Sequence, residues 1–422
     1  MKNFKDSGIE WLGEIPEHWK LIKCKNFFVL KSIPIGDLWN KTKLLSLTLN
    51  GVIERDINNP EGKFPSDFST YQIVKEGDLI FCLFDVAETP RTIGLSKLNG
   101  MITSAYTIFE IKNQEKRFLE YFFIDLDNRK NLKFLYRGLR NTISKEDLLN
   151  LKIPLPPLKE QEQIANFLDE KCEQIKNFIE KKEKLITLLK EQKQAFINKA
   201  TTKGLDKNVN FKDSGIEYLG EIPQHWRIVK LKYVAFTNIG LVYTPDDIIE
   251  NPDEGYPVLR ANNIQNGKID YQDLIYIKSK QIGKKQIISS GDLLMCVRNG
   301  SENLLGKTAK IQDGYFSFGA FTAIIKSQFN DYFYWIFQTN MLRKSIASFS
   351  ASNGIGQISQ DDIKNFIISF PPLKEQEQIA QFLDSEISKI DKIIEKTKKQ
   401  IKLIKEYKTT LINQAVCGRI DL

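Results

Sequence analysis

The chain has 422 residues, and its 61 Lys and Arg against 53 Asp and Glu give a formal net charge of +8 at pH 7; this mild excess permits a polyanionic partner without establishing one. There is no apolar signal core and no run of 18 apolar residues, so the sequence predicts a soluble, cytoplasmic protein with no membrane partner. Five cysteines without a CxxC spacing and only two histidines, His18 and His225, argue against a disulfide framework, a zinc ribbon and a multi-histidine metal site.

One frame is written twice along the chain. The segment FKDSGIEWLGEIPEHW, from Phe4 to Trp19, returns as FKDSGIEYLGEIPQHW from Phe211 to Trp226, and PPLKEQEQIA occurs unchanged at Pro156 to Ala165 and at Pro371 to Ala380. The inserts between these segments align only in fragments. The duplication predicts two globular lobes, each followed by a helix. The repeated segments are expected to form a common scaffold, and the divergent inserts are expected to recognise two different targets.

Short β-branched and aromatic runs, separated by polar turns, predict strands within each insert. The clearest runs are Asp78 to Phe84, Thr103 to Ile111, Asp292 to Val297 and Phe321 to Ile325. Cys82 and Cys296 fall inside two of these runs and are expected in the core, as are the aromatic residues from Tyr332 to Trp335. Ser144 and Ser359 are expected to cap a short helix that precedes a strand. Each lobe is therefore expected to be α+β.

Heptad spacing follows each PPLKEQEQIA segment, because apolar residues recur at alternating intervals of four and three. The expected seam residues are Leu168, Ile175, Ile179, Ile186 and Leu189 in the first helix and Leu383, Ile390, Ile394, Ile401 and Ile404 in the second. A shift of 215 residues superimposes the two seams, including polar breaks such as Lys193 and Lys408. Helices of roughly 40 residues, about 60 Å long, exceed what one small lobe covers, which favours their pairing over two helices lying separately on their lobes.

Chain connectivity sets the direction of this pair. The first helix ends where the second copy of the frame starts, so the second helix has to run back toward the first lobe. The predicted fold class is α+β: two α+β lobes related by pseudo-two-fold symmetry and separated by a long antiparallel two-helix coiled coil. The expected boundaries are 1–155 for the first lobe, 156–204 for the first helix, 205–370 for the second lobe and 371–422 for the second helix.

A family resemblance rests on four motifs that occur in order and twice: the GEIPxHW opening, the GDL strand, the IS-x-x-D cap and the PPLKEQEQIA joint. Over essentially the whole chain they resemble the DNA-specificity subunit of type I restriction-modification systems. The resemblance implies that each lobe is a target-recognition domain reading one half of a bipartite site in double-stranded DNA. It also implies that the helices space the lobes and dock adenine-methyltransferase subunits, two of them.

The same resemblance implies that the chain is not itself an enzyme. Restriction/translocase subunits are further implied partners, and S-adenosylmethionine, ATP and Mg²⁺ are expected on the partner subunits instead of on this chain. The alternative class is a self-contained DNA methyltransferase or nuclease, which would need a glycine-rich cofactor loop and an NPPY- or DPPY-type motif for a flipped adenine. NNP at 58–60 and ENP at 250–252 lack the second proline and the aromatic residue, and GxxxxGK[ST] does not occur. A pure coiled-coil scaffold would leave two divergent lobes unexplained.

Candidate DNA contacts follow from side-chain chemistry, because Arg matches guanine, Asn and Gln match adenine, and Lys mainly meets phosphate. In the second lobe the candidates are Arg260, Asn262, Asn263, Arg298, Asn299, Lys307, Asn353 and Gln357. In the first lobe they are Arg55, Arg91, Arg137 and Arg140. For each of them an ordinary solvated surface role is the alternative.

Overall fold

The computed structural model describes residues 3–56, 67–299, 304–349 and 357–422. Contacts divide the chain into two compact units, Met1–Glu183 with Lys398–Leu422, and Lys184–Thr397. Each unit contains one lobe and a segment of both long helices. The two units do not correspond to a division of the chain into separate lobes and helices. The reason is that the two halves of each long helix belong to different units.

The first unit is built from short strands, two short helices and parts of the two long ones. Its strands are β1 (Phe4–Asp6), β2 (Glu14–Pro16), β3 (Lys20–Lys23), β4 (Phe28–Lys31), β5 (Leu44–Thr48), β6 (Gly51–Arg55), β7 (Gln72–Val74), β8 (Leu79–Phe81), β9 (Ile93–Leu95), β10 (Gly100–Ile102), β11 (Thr107–Ile111) and β12 (Lys152–Leu155). Its helices are α1 (Lys116–Asn128), α2 (Lys145–Asn150) and the start of α3 (Leu158–Lys203), together with residues 398–416, the end of the second long helix.

Two four-stranded sheets form the body of the first lobe. One has the order β4-β11-β8-β9 and is antiparallel; the other has the order β6-β5-β10-β7, in which β5 and β10 are parallel. Helix α1 packs against β9 and buries Phe118, Phe122 and Phe123 in the main core. Strand β12 pairs with β3, so the end of the insert returns to the frame just before α3 begins.

The second unit contains the corresponding elements and several additional ones. Its strands are β13 (Phe211–Asp213), β14 (Glu221–Pro223), β15 (Arg227–Lys230), β16 (Phe236–Ile239), β17 (Ile248–Ile249), β18 (Gly255–Leu259), β19 (Ile264–Gln265), β20 (Lys268–Ile269), β21 (Ile275–Lys278), β22 (Ile288–Ser289), β23 (Leu293–Cys296), β24 (Thr308–Lys310), β25 (Tyr315–Phe318), β26 (Thr322–Lys326) and β27 (Ile367–Phe370). Its helices are the end of α3, α4 (Asn330–Phe337), α5 (Met341–Phe349), α6 (Gln360–Asn365) and the start of α7 (Leu373–Val416).

The sheets of the second lobe repeat the plan of the first. The order β16-β26-β23-β24 corresponds to β4-β11-β8-β9, and β27 pairs with β15 as β12 pairs with β3. The other sheet, β17-β21-β18-β25-β22, again contains one parallel pair, β18 with β25. The expectation of two α+β lobes is confirmed, and the cores lie where the strand runs predicted them: Cys82, Cys296, Tyr332 and Phe333 are buried.

Each unit contains an antiparallel segment of the helix pair. In the first unit, Leu168 and Ile175 near the start of α3 share a core with Leu411 and Ile412 near the end of α7. In the second unit, Lys193 of α3 donates to both carboxylate oxygens of Asp391 of α7, at 2.7 and 2.9 Å. All ten expected seam residues are buried or partly buried. The coiled-coil pairing therefore follows the heptad pattern.

The frame joins each lobe to a helix through one repeated contact. His18 and the buried Trp19 bond the two carboxylate oxygens of Glu160, in the first turn of α3, at 2.7 and 3.3 Å. His225 and Trp226 bond Glu375 of α7 in the same way, at 2.6 and 2.8 Å. Ser144 and Ser359 cap α2 and α6, as their sequence context predicts. Among the described residues, none of the helices is both long and apolar enough to cross a membrane.

Candidate nucleic-acid interface

In the second lobe, loops that follow different strands meet around one cavity of about 500 Å³, which we call the Arg260 cavity. Residues 241–243 follow β16, residues 260–262 follow β18, and residues 319–321 connect β25 to β26. The walls are Leu241, Val242, Tyr243, Arg260, Ala261, Asn262, Gly319, Ala320, Phe321 and Thr322. The cavity thus combines apolar walls with the polar groups of Arg260 and Asn262, both of which the sequence singled out.

The guanidinium of Arg260 is held by Asp273. Its Nη2 donates to the backbone oxygen and to the Oδ2 of Asp273, both at 2.9 Å. Asn262 donates to the same Oδ2 at 3.2 Å. The Nε of Arg260 is buried and has no hydrogen-bond partner within the described part of the chain. One carboxylate therefore fixes both polar side chains of the cavity.

A second cationic side chain, Arg298, contacts Phe321, which is one of the residues that line the cavity. The guanidinium carbon of Arg298 lies 5.4 Å from the centre of the Phe321 ring, a cation–π contact, and the ring itself is 55% exposed. Gln357 forms a β-bridge with Arg298. The backbone oxygen of Lys307 accepts from the Cys296 amide, which places the exposed Lys307 at the same end of β23. Arg260, Asn262, Arg298, Lys307 and Gln357 are thus brought to one edge of the lobe.

Three other candidates of this lobe fare differently. Asn263 is 2% exposed, and its side chain accepts from the Arg260 amide and donates to the backbone oxygens of Asp270 and Gln272. Its role is therefore corrected from base contact to support of the loop, since its polar atoms are already bonded internally. Asn299 is partly buried beside Arg298. Asn353 lies outside the described residues.

The first lobe has an equivalent edge, as the matching hydrogen bonds of the two lobes show. The Ile143 amide donates to Leu83 at 2.8 Å, just as the Ile358 amide donates to Val297 at 2.8 Å. The residue after Leu83 is Phe84, whereas the residue after Val297 is Arg298. The edge is built by the same backbone in both lobes but carries different side chains.

Aromatic stacking and an arginine occupy this edge in the first lobe. The rings of Phe84 and Tyr106 stack with centroids 6.1 Å apart, and the Arg140 guanidinium lies 5.7 Å from the Phe84 centre. Arg140 Nε donates to Asp85 at 3.0 Å, and this hydrogen bonding lowers the pKa of the Asp85 carboxyl. Burial raises the pKa of Tyr106, and the nearby positive charge of Arg55 opposes that rise. Arg140 therefore lies at this edge, and the positive charge of Arg55 acts on Tyr106 of the same stack.

The other two arginine candidates of the first lobe are paired with carboxylates. Arg91 is largely buried in an ion pair with the buried Asp127, at 3.4 Å. Arg137 pairs with Asp147 in the first turn of α2 at 2.7 Å and is well exposed. Sequence reasoning did not find Asp273, Phe321 or the Phe84–Tyr106 stack. The positions of Phe84 at the end and Phe321 at the start of predicted strand runs pointed toward strand ends.

Reactive side chains are few in the described part of the chain. Burial raises the pKa of the thiols of Cys82, Cys296 and Cys417, which keeps them protonated at neutral pH. Both histidines are bonded to the frame glutamates. Across residues 3–56, 67–299, 304–349 and 357–422, no group of three or more His, Cys, Asp or Glu side chains is placed to hold a metal ion. The polar groups that converge are suited to hydrogen bonding and stacking.

Comparison with known protein families gives two matches to one model. Residues 91–202 and 223–403 match the type I restriction modification DNA specificity domain. Together the matches cover more than half of the chain, and one lies in each copy of the repeat.

Curated relatives carry the same description. The chain is 29% identical over 362 residues to the type I restriction enzyme MjaVIII specificity subunit of Methanocaldococcus jannaschii. This alignment covers 82% of this chain and 80% of that protein. It is 26% identical over 447 residues to the putative MjaX specificity subunit of the same organism, covering 99% and 97%. The match to the EcoKI specificity subunit of Escherichia coli K12, 29% identical over 206 residues, spans 48% of this chain and 44% of that protein.

Solved structures share the fold at low sequence identity. A chain from a study of complex assembly and conformational transition of the type I R-M system matches with a TM-score of 0.73 and 15% identity, covering 96% of this chain and 99% of that one. The HsdS subunit from Thermoanaerobacter tengcongensis matches with a TM-score of 0.56 and 16% identity, covering 96% and 98%. At these identities the likeness concerns the fold.

Proposed function

The chain belongs to the type I restriction-modification DNA specificity family, and on that premise we propose that each lobe reads one half of a bipartite DNA target. One observation carries the proposal. The same strand-end edge occurs in both lobes, yet it presents Phe84, Tyr106 and Arg140 in one and Arg298, Phe321 and Arg260 in the other. Different side chains on one backbone plan are suited to reading different bases.

The proposed DNA contacts are the exposed or cavity-lining candidates of these edges. In the second lobe they are Arg260, Asn262, Arg298, Lys307 and Gln357, and in the first lobe Arg55 and Arg140. Arg91 is excluded from this set because its charge is committed to a buried carboxylate. The mild net charge of +8 is consistent with a phosphate backbone as partner.

We propose that the helix pair docks two methyltransferase subunits. With the seam residues at heptad positions a and d, the large exposed apolar residues of the paired helices fall at positions g and c, on one flank of the seam, apart from the first residue of each helix, Leu158 and Leu373. The first unit exposes Phe178, Leu403 and Tyr407 there, and the second unit exposes Leu185, Leu188, Phe382 and Ile393. The 215-residue shift relates Phe178 to Ile393 and Leu188 to Leu403. The two sets thus share one matched apolar pair, Phe178 with Leu403 in the first unit and Ile393 with Leu188 in the second, and this shared pair fits two copies of one partner.

Catalysis is proposed to belong to the partner subunits. The described residues offer buried thiols and frame-bound histidines in place of a reactive constellation. S-adenosylmethionine would bind the methyltransferase subunits, and ATP and Mg²⁺ the restriction/translocase subunits. The alternative, a self-contained methyltransferase or nuclease, would show activity in the purified chain alone.

Methylation mapping tests the proposal. Long-read sequencing for methyladenine would compare cells that express the chain and its methyltransferase partner with cells that lack only the chain. The expected result is loss of one motif made of two different half-sites separated by unspecified bases. Loss of no motif, or of a continuous palindrome, would overturn the proposal.

A further inference from the structure

We propose that Asp273 is a positioning residue for base recognition, and that it orients Arg260 toward a guanine in the half-site of the second lobe. The inference rests on the proposed function and specifies the base that the Arg260 cavity recognises. Asp273 itself would not touch the DNA. It would act through the guanidinium that it holds.

The hydrogen bonds of Arg260 support this division of labour. A guanidinium has five N–H donors in a fixed plane. Asp273 accepts two of them from Nη2, at 2.9 Å each, and thereby fixes the plane. The Nη1 group makes no hydrogen bond within the described residues, and Arg260 lines the cavity. The free donors are thus presented by a side chain that has already lost its rotational freedom.

The loop around Asp273 is built to hold this geometry. Asp273 has a φ of +56°, a left-handed conformation that costs energy for a residue other than glycine. The buried Asn263 ties the segment before it to the Arg260 loop through the backbone oxygens of Asp270 and Gln272, at 2.9 and 3.0 Å. Asn262 adds its own bond to Asp273. Several interactions therefore hold the Asp273 carboxylate in one position, although this side chain is largely exposed.

Guanine fits these donors better than a phosphate does. A phosphate contact needs a positive charge and tolerates a mobile lysine, whereas O6 and N7 of guanine need donors in a defined plane. The cavity walls beside Arg260 are apolar, with Val242 and the exposed Phe321 available to contact a flat base edge. A simple surface ion pair would gain little from such support, since exposed pairs contribute almost nothing to stability.

The test compares the methylation motifs of variants in the complete complex with methyltransferase. The variants are Asp273→Ala, Asp273→Asn and Arg260→Ala. The matched control is Asp331→Ala, which removes another exposed aspartate of the same lobe, paired with Lys310, outside the Arg260 cavity. Thermal unfolding of each purified chain verifies that the variants fold.

We expect the wild-type motif to contain a G·C pair that becomes degenerate in Asp273→Ala and Arg260→Ala, with roughly tenfold or greater loss of discrimination at that position only. Asp273→Asn, which retains one acceptor oxygen, is expected to relax the same position less. The other half-site and the Asp331→Ala motif should be unchanged. Because Asp273→Asn preserves shape, it decides the matter if the alanine variant does not fold.

Three results would overturn the inference while leaving the proposed function intact. The first is that the half-site read by the second lobe contains no G·C pair, and the second is that the Asp273 variants leave the motif unaltered. The third is that methylation weakens evenly at all sites without any position becoming degenerate, which would indicate a phosphate contact. A wild-type chain that confers no split motif would instead overturn the proposed function itself.

Discussion

Gly418 lies directly against the indole ring of Trp19, so closely that an added Cβ would be 2.9 Å from a ring carbon and 2.5 Å from Pro16. Gly204 stands in the same relation to Trp226, with an added Cβ at 3.1 Å. Trp19 and Trp226 also donate to the first-turn glutamates Glu160 and Glu375. Within each unit, one buried tryptophan therefore links the beginning of one long helix to the segment that follows the end of the other.

Alanine at these glycines should destabilise the chain in a fixed order. Both have a φ of +71°, so alanine introduces strain of about 1 to 2 kcal/mol, and the clash with the ring adds to it. Gly418→Ala should cost more than Gly204→Ala, because its contacts are shorter and include the rigid proline ring. The control is Gly8→Ala, which has a φ of +67° and open space around the added Cβ. Equal losses of thermal stability in all three would show that strain alone matters.

Removing the first-turn glutamate should weaken the joint between lobe and helix. Glu160→Ala leaves the buried Trp19 N–H without its acceptor, which costs about 1 to 3 kcal/mol in the free energy of unfolding. Glu160→Gln keeps an acceptor oxygen and should cost less. Denaturant unfolding measures both, with the exposed Glu162→Ala as control. The idea fails if Glu160→Gln and Glu160→Ala are equally destabilising, because the hydrogen bond would then be irrelevant.

The buried Asp125 should make the stability of the first unit depend on pH. Burial raises the pKa of its carboxyl above the ordinary value, although the charge of Arg129 and a bond from Asn413 at 3.2 Å oppose this rise. Since the folded protein holds the proton more tightly than the unfolded chain, the contribution of Asp125 is most favourable below the unfolded pKa and declines as pH rises through the folded pKa. Melting curves of wild type and Asp125→Asn between pH 4.5 and 8 measure it.

The stability of Asp125→Asn relative to wild type should therefore improve as pH rises across that window. The exposed Asp37→Asn serves as the control for removal of an unburied carboxylate. A difference between Asp125→Asn and wild type that stays constant with pH would contradict the prediction.

The proposed docking flank predicts a change in stoichiometry. Leu188→Glu in the second unit and Leu403→Glu in the first each place a charge in one of the two matched apolar pairs. Each single variant should bind one methyltransferase subunit tightly in place of two, and the double variant none, as measured by light scattering of the purified complex. Lys190→Glu, on the opposite flank of α3, is the control. Two subunits still bound to the double variant would exclude this flank.

The helices are also proposed to set the spacer between half-sites. Inserting one heptad after Glu183 and one after Lys398, positions related by the 215-residue shift, lengthens the pair by about 10.5 Å. That length corresponds to about three base pairs. Motif sequencing should find both half-sites unchanged and only the spacer altered. A change in the bases recognised would show that the helices take part in reading them.

Local periodicity and the duplication were enough to predict many features of this protein from its amino-acid sequence. The heptad seam from Leu168 onward, the caps at Ser144 and Ser359 and the buried strands around Cys82 and Cys296 were all predicted, because spacing along one element fixes which face is apolar. The repeat likewise predicted two α+β lobes and an antiparallel helix pair. Such features can be predicted from the spacing of residues within one element or from the comparison of one copy of the repeat with the other.

Which polar residues act together depends on how distant segments of the chain fold against each other. Arg260 meets Asp273, thirteen positions away, because the loop between them folds back through β19 and β20, and Phe321 joins Arg298 to the Arg260 cavity because three strands end at one edge. Asn262 and Asn263 are adjacent in sequence, yet one lines the cavity and the other is buried beneath it. Loop side chains receive their roles from contacts between distant segments, which no local spacing records.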